Sequence, residues 1–124
     1  MRLLFFVFGF FVAGASWWQG GYKIDFKIKG LKDTTTYLGH YKGENTFIRD
    51  TAKVNGQGVF SFDGKQSLGQ GVYFLVMSNG TAKTRVFEFV VGSDQQFTLE
   101  TSTEDYINNM KVIGDEDNRL FFED

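Results

Sequence analysis

The sequence of 124 residues contains no cysteine and no proline, and its only histidine is His40. Without cysteine the chain has no disulfide framework, no thiolate nucleophile and no site for a lipid anchor after a leader peptide. Zinc normally requires three or four His, Cys or carboxylate ligands, so a single histidine does not predict a zinc centre. We therefore expect no metal and no cofactor, and we expect His40 to be a surface or packed residue.

The chain also lacks a basic excess: 13 Lys and Arg stand against 15 Asp and Glu, for a formal net charge of −2. Binding to a phosphate backbone requires clustered positive charge, so nucleic acid is not an expected partner. The serines lack the context of a nucleophile elbow, and the glycines lie in strand turns rather than ahead of a helix. The sequence therefore predicts a protein that is not an enzyme on its own.

The N-terminus has the pattern of a secretory signal peptide at residues 1–15. A short positive start is followed by the apolar stretch 3–12 and by small residues that predict cleavage before Ser16. The alternative is a membrane anchor, which needs roughly 18 apolar residues and would have to continue through Trp17 and Trp18. We expect export to the periplasm or cell envelope.

After cleavage, Trp17 and Trp18 would lie at the new N-terminus. Their amphipathic rings make them candidate partner contacts, with a sugar or with a membrane surface. The alternative is that they extend the apolar region of the signal or cover a sheet edge.

The rest of the chain is rich in aromatic residues and glycine, with 15 Phe and 15 Gly. Short apolar or alternating runs are separated by turns every eight to twelve residues. The predicted strands are 22–29, 35–41, 46–54, 59–62, 71–78, 84–91, 96–101 and 110–113. Seven or eight short strands predict an all-β fold, either an antiparallel β-sandwich or a partly open barrel.

Three local patterns give more detailed expectations. Apolar residues alternate with charged ones, mostly lysine, over 22–29, which predicts one buried face; the lysine row also suits an edge strand. Asn55-Gly56-Gln57-Gly58 predicts a hairpin turn between strands 46–54 and 59–62, and Asn79-Gly80 predicts a second hairpin. The unbroken apolar run 72–77 is typical of a strand buried on both faces.

The character of the sequence changes after Gly114. Asp115, Asp117 and Asn118 are all good helix N-caps. The run Asp115-Glu116-Asp117 also resembles a calcium loop, but Arg119 stands where a further ligand belongs, so a helix cap is the favoured interpretation. We expect 115–124 to begin a helix or linker that is not a finished element.

Five stretches in order carry a family resemblance: YKIDFKIKGLKDTTTYLG at 22–39, DTAKVNGQGVFSFDG at 50–64, GQGVYFLV at 69–76, FEFVV at 87–91 and MKVIGDEDNRLF at 110–121. Their order and spacing resemble a domain of unknown function from Gram-negative bacteria. That domain follows the signal peptide of exported thioredoxin-like proteins of the alkyl hydroperoxide reductase and thiol-specific antioxidant type.

The resemblance implies that 16–114 is a β-sandwich domain that precedes a thioredoxin-like domain, absent from this chain together with its C-x-x-C motif. The implied function is a non-catalytic N-terminal module that positions or recognises partners for thiol–disulfide exchange. Its partner would be that C-terminal domain or another exported protein, and the candidate contacts at this end are Leu120, Phe121 and Phe122. The alternative is a free-standing glycan-binding or adhesion sandwich.

Overall fold

The computed structural model describes residues 21–32 and 34–123. This part of the chain forms eight strands and one short helix, α1. In chain order they are β1 (Tyr22–Lys29), β2 (Thr35–Lys42), β3 (Asn45–Lys53), β4 (Val59–Gly64), β5 (Gly71–Asn79), β6 (Ala82–Val91), β7 (Gln96–Ser102), β8 (Lys111–Ile113) and α1 (Glu116–Glu123). Within these residues, no helix has the length and apolar character that are needed to span a membrane.

The strands form two four-stranded sheets, and the predicted sandwich is confirmed. Sheet A has the order β4-β1-β7-β8, and sheet B has the order β3-β2-β5-β6. Within the described residues the two sheets do not close into a barrel. Neighbouring strands are antiparallel except β1 and β7, which run parallel. A parallel pair needs a long connection, and here all of β2 to β6 lies between its members.

Strand β1 has the predicted buried face, but it is not an edge strand. Tyr22, Ile24, Phe26 and Ile28 are buried, whereas the lysines of the strand are exposed. The edge prediction is wrong because β1 lies between β4 and β7. The lysines are exposed because the outer face of sheet A meets solvent, and that face is equally wet in the middle of the sheet.

Phenylalanine rings from both sheets meet in the core around Phe26. Its ring stacks on Phe60 of sheet A at 4.8 Å between centroids, and it packs edge-on against Phe89 of sheet B at 5.7 Å. Phe26 and Phe89 are fully buried. Burial of each such ring stabilises the fold by about 1.5–3 kcal/mol, so these contacts join the two sheets without disulfides.

The segment 55–58 is a corner between the sheets, so the predicted hairpin is wrong. It connects β3 of sheet B to β4 of sheet A, and these strands do not pair. The Asn55 side chain accepts the Val59 N–H at 3.0 Å, as expected in a turn. However, Gly58 has a φ of 78° and its carbonyl accepts the Ile28 N–H at 2.9 Å, which fixes the corner to the end of β1.

The second predicted hairpin is confirmed. Strands β5 and β6 are antiparallel, Asn79 is opposite Ala82, and Gly80 has the positive φ of 70° that a two-residue loop requires. In β5, residues 73–76 are all buried, as expected for a strand covered on both faces, whereas Val72 is exposed.

Helix α1 packs at the side of the sandwich, where it contacts β6 of sheet B and β8 of sheet A. These two strands are the last in their sheets. The helix therefore covers part of the gap between the two sheet edges.

Candidate partner-binding groove

Helix α1 begins at a buried N-cap, Asp115, one of the three residues predicted for this role. Its Oδ2 accepts the backbone N–H of Asn118 at 3.2 Å and the side-chain amide of the same residue at 2.6 Å. Burial raises the pKa of the Asp115 carboxyl above its ordinary value, and the two hydrogen bonds from Asn118 oppose this shift. The cap places the first turn of α1 directly against the sandwich.

The side chain of Asn118 ties α1 to the edge of β6. Its Oδ1 accepts the Val90 N–H at 2.8 Å, and its Nδ2 donates to the Val90 carbonyl at 2.7 Å. Asn118 is fully buried. The carboxamide thus satisfies both backbone groups of an edge residue, as the peptide group of a neighbouring strand would.

The three apolar residues predicted as partner contacts lie on different sides of α1. Successive residues of a helix are about 100° apart, so they cannot share one face. Phe122 turns inward and packs edge-on against Phe87 at 6.1 Å, where it is half-buried. Leu120 and Phe121 remain 52% and 42% exposed. The structure therefore leaves Leu120 and Phe121 at the surface, while Phe122 supports the helix from beneath.

An open groove of about 340 Å³ separates the end of α1 from β6. Its lining consists of Val86, Phe87, Glu88, Ile107, Phe121 and Phe122. Ile107 comes from the turn before β8 and is 50% exposed. Sequence reasoning did not select it, although it is an aliphatic residue in the otherwise polar connection 103–109. The groove is mainly apolar and has one carboxylate at its rim.

That carboxylate, Glu88, is held on the outer face of sheet B. The Tyr41 hydroxyl donates to Glu88 Oε2 at 2.7 Å, and this hydrogen bond raises the pKa of Tyr41. The Arg85 guanidinium lies 3.9 Å from the same oxygen and covers the ring of Phe74 at 4.0 Å from its centroid. Phe74 in turn packs against Gly39, where an added Cβ would overlap the ring. Glu88 therefore has a fixed position at the rim.

A comparison with protein families matches residues 22–121 to the family described as Domain of unknown function (DUF4369). The chain belongs to this family. The matched region begins with β1 and ends within α1, so it includes the residues that line the groove, apart from Phe122. No curated protein and no solved structure matches the chain.

The remaining predicted residues do not join this groove. Trp17, Trp18 and the predicted signal peptide lie outside the described residues. His40 packs between Tyr73 and Phe47, at 5.6 and 5.7 Å between ring centroids. Across 21–32 and 34–123, no three His, Cys, Asp or Glu side chains are placed to hold a metal ion.

A larger groove of about 710 Å³ lies at one end of sheet A, and most of the residues that line it are polar or charged. Lys27 pairs with Glu100 at 3.8 Å, and Lys29 and Lys111 share the lining with Glu104. Because cations and anions are mixed on its walls, its charge does not select one class of ligand. The apolar groove beside α1 has the simpler chemistry and is the better candidate for a protein partner.

Proposed function

We propose that this chain is the non-catalytic N-terminal module of an exported thiol–disulfide oxidoreductase-like protein, and that it recognises or positions a partner at the groove beside α1. The observation that carries this proposal is the pair of exposed apolar side chains, Ile107 and Phe121, that line the groove together with Val86. Single exposed apolar residues are ordinary, but an apolar cluster at a concave surface is typical of an interaction site.

The redox context rests on the ordered motifs at 22–39, 50–64, 69–76, 87–91 and 110–121. The attacking species in thiol–disulfide exchange is a thiolate, and this chain has no cysteine to supply one. The thiols would belong to a thioredoxin-like domain that follows in the same protein, and the groove would contact that domain or its substrate protein.

The test begins with the gene: its reading frame should continue into a thioredoxin-like domain with a C-x-x-C motif. The ¹⁵N-labelled chain is then titrated with that domain, and backbone amide shifts are followed by NMR. We expect changes at Val86, Ile107 and Phe121, and none at Lys29 on the outer face of sheet A. A reading frame without such a domain, or shifts confined to sheet A, would contradict the proposal.

Two substitutions sharpen this titration. Phe121→Ser removes an exposed groove ring and should weaken binding roughly tenfold, as for a residue near the centre of an interface. Ile113→Ser is the matched control, because Ile113 is similarly exposed, at 46%, but lies on β8 outside the groove. It should leave the affinity unchanged. Equal losses in both variants would indicate non-specific apolar adhesion.

A second candidate function is glycan binding by the outer face of sheet B. Tyr41 is 38% exposed there, with the charged groups of Arg85 and Glu88 beside its hydroxyl. An exposed aromatic ring bordered by polar groups can cover the apolar face of a sugar and bond to its hydroxyls. On a glycan array, binding that is lost in Tyr41→Ala but retained in Phe121→Ser would favour this function over the first.

A further inference from the structure

The hydrogen bonds of Val90 show which backbone groups of β6 face away from β5. Both the N–H and the carbonyl of Val90 are bonded to Asn118, which lies on the side away from β5. The register between β5 and β6 is regular from Phe87 to Val91. Because the direction of these groups alternates along a strand, Glu88 directs its own N–H and carbonyl to the same free side.

The apolar groove lies along this free side. Val86 and Glu88 of β6 line it, together with Ile107 from the turn before β8 and Phe121 of α1. Within the described residues, no side chain or turn makes a hydrogen bond to the edge-facing backbone groups of Glu88. An unpaired stretch of the β6 edge thus lies beside the apolar groove.

We propose that this edge binds an extended peptide segment of a partner, which adds to sheet B as a fifth strand and places an apolar side chain in the groove. One such pairing already exists within the chain, because the Asn118 carboxamide occupies the place of a neighbouring peptide group at Val90. A strand that continues along the edge meets Glu88 next. Main-chain bonds provide affinity in this mode, and the pocket for the side chain provides specificity.

The two ends of β6 explain why only this middle stretch is open. Unprotected strand edges are an aggregation risk, and proteins block them with covering elements or with charge. Helix α1 covers the edge at Val90. Toward the other end of β6, the exposed cations Lys83 and Arg85 lie over the rings of Tyr37 and Phe74 on the outer face of sheet B and place positive charge beside the edge. The cations also affect which peptide sequences bind. An acidic peptide residue opposite Lys83 would be favoured, because opposite charges attract across neighbouring strands. The expected ligand is an extended segment with an apolar residue for the groove and an acidic residue some positions away.

The inference rests on the proposed function of the groove, and its test uses linear peptides. A displayed library of random seven-residue peptides is selected on the full chain, with counter-selection on Phe121→Ser. We expect the enriched peptides to combine an apolar residue with an acidic one. Binding should protect the Glu88 amide from hydrogen exchange. Failure of any peptide to enrich, or enrichment without this protection, would overturn the inference.

Backbone pairing is then tested by N-methylation of the best synthetic peptide. Methyl groups on the amides that face β6 should weaken binding roughly tenfold for each hydrogen bond lost, whereas methyl groups on the alternate amides should change it little. In the protein, Glu88→Pro removes the edge-facing N–H together with the carboxylate that bonds to Tyr41, and edge strands tolerate such a proline. The loss of this N–H should likewise weaken binding roughly tenfold. The matched variant Glu88→Ala keeps the N–H and should retain binding.

These outcomes separate the inference from the function on which it rests. Suppose that the thioredoxin-like domain changes the NMR shifts of the groove amides, but that neither Glu88→Pro nor N-methylation changes the peptide affinity. The groove is then a partner site and strand addition is wrong. If peptides bind in the expected way but the domain does not, strand addition stands and the proposed role for that domain fails.

Discussion

At the scale of the residue, Tyr22 shows how a single polar contact connects the two sheets. Its ring belongs to β1 of sheet A, and its hydroxyl donates to Asp50 Oδ2 on β3 of sheet B at 2.8 Å. Burial, and then the hydrogen bond to Asp50, raise the pKa of Tyr22 from 10.0 to about 12. The neutral phenol is therefore the form that the folded state prefers.

This raised pKa predicts a dependence of stability on alkaline pH. Because the folded pKa lies above the unfolded value, the stabilisation by Tyr22 is fully present below pH 10.0 and is lost as the pH rises through about 12. In Tyr22→Phe, the free energy of unfolding should be lower by about 1 kcal/mol at neutral pH and should fall less steeply over this interval. Urea unfolding at a series of pH values measures both effects.

The control for this measurement is Tyr37→Phe, because Tyr37 lies on β2 and makes no hydrogen bond to Asp50. Its pH profile should follow that of the unmodified chain. If Tyr22→Phe and Tyr37→Phe had the same profile, the contact between Tyr22 and Asp50 would not stabilise the sandwich.

At the scale of the element, α1 is attached to the sandwich through Asn118. Substitution by Ala removes the hydrogen bonds to the Val90 N–H and carbonyl. We expect Asn118→Ala to lower the free energy of unfolding by about 2 kcal/mol and to speed hydrogen exchange at the Val90 amide. Asn109→Ala is the control: its side chain bonds to Ser102 at the surface, and its effect should stay within about 0.5 kcal/mol. Equal effects would show that α1 is not held by this contact.

The strands themselves could be predicted from the sequence, but their neighbours could not. Alternation over 22–29 identifies the buried face of β1, yet a lysine row is equally exposed in a central strand and in an edge strand when the outer face is wet. The turn chemistry of Asn55 and Gly58 is the same at a corner as in a hairpin. What decides between them is the distant contact of Gly58 with Ile28, and a local pattern contains no information about it.

The groove was predictable only in part, for a similar reason. The apolar run at Leu120, Phe121 and Phe122 marks the C-terminal helix as a candidate contact region. Which of its residues stay exposed depends on the rotation of α1, and this is fixed by Asn118 at the edge of β6. Ile107 reaches the groove only because β8 pairs with β7 and brings the preceding turn alongside α1.

At the scale of the whole molecule, the two outer faces of the sandwich differ in chemistry. Sheet A presents charged residues such as Lys27 and Glu100, which pair across neighbouring strands. Sheet B presents rings covered by cations, such as Phe74 beneath Arg85. The groove lies at the side of the molecule, between the edge of sheet B and α1. A partner in the groove would therefore leave both outer faces free.

The position of the groove predicts that stability and self-association respond to different residues of α1. Leu120 and Phe121 are exposed, so the double substitution Leu120→Ser with Phe121→Ser should change the free energy of unfolding by no more than about 0.5 kcal/mol. It should also reduce self-association, because it removes exposed apolar surface. Phe122→Ser removes a half-buried ring that packs on Phe87 and should cost about 2 kcal/mol. Urea unfolding and sedimentation velocity, measured on all three chains, separate the two effects. A large loss of stability in the double variant would show that these side chains support the sandwich instead, and the groove would then be a packing defect rather than a surface for a partner.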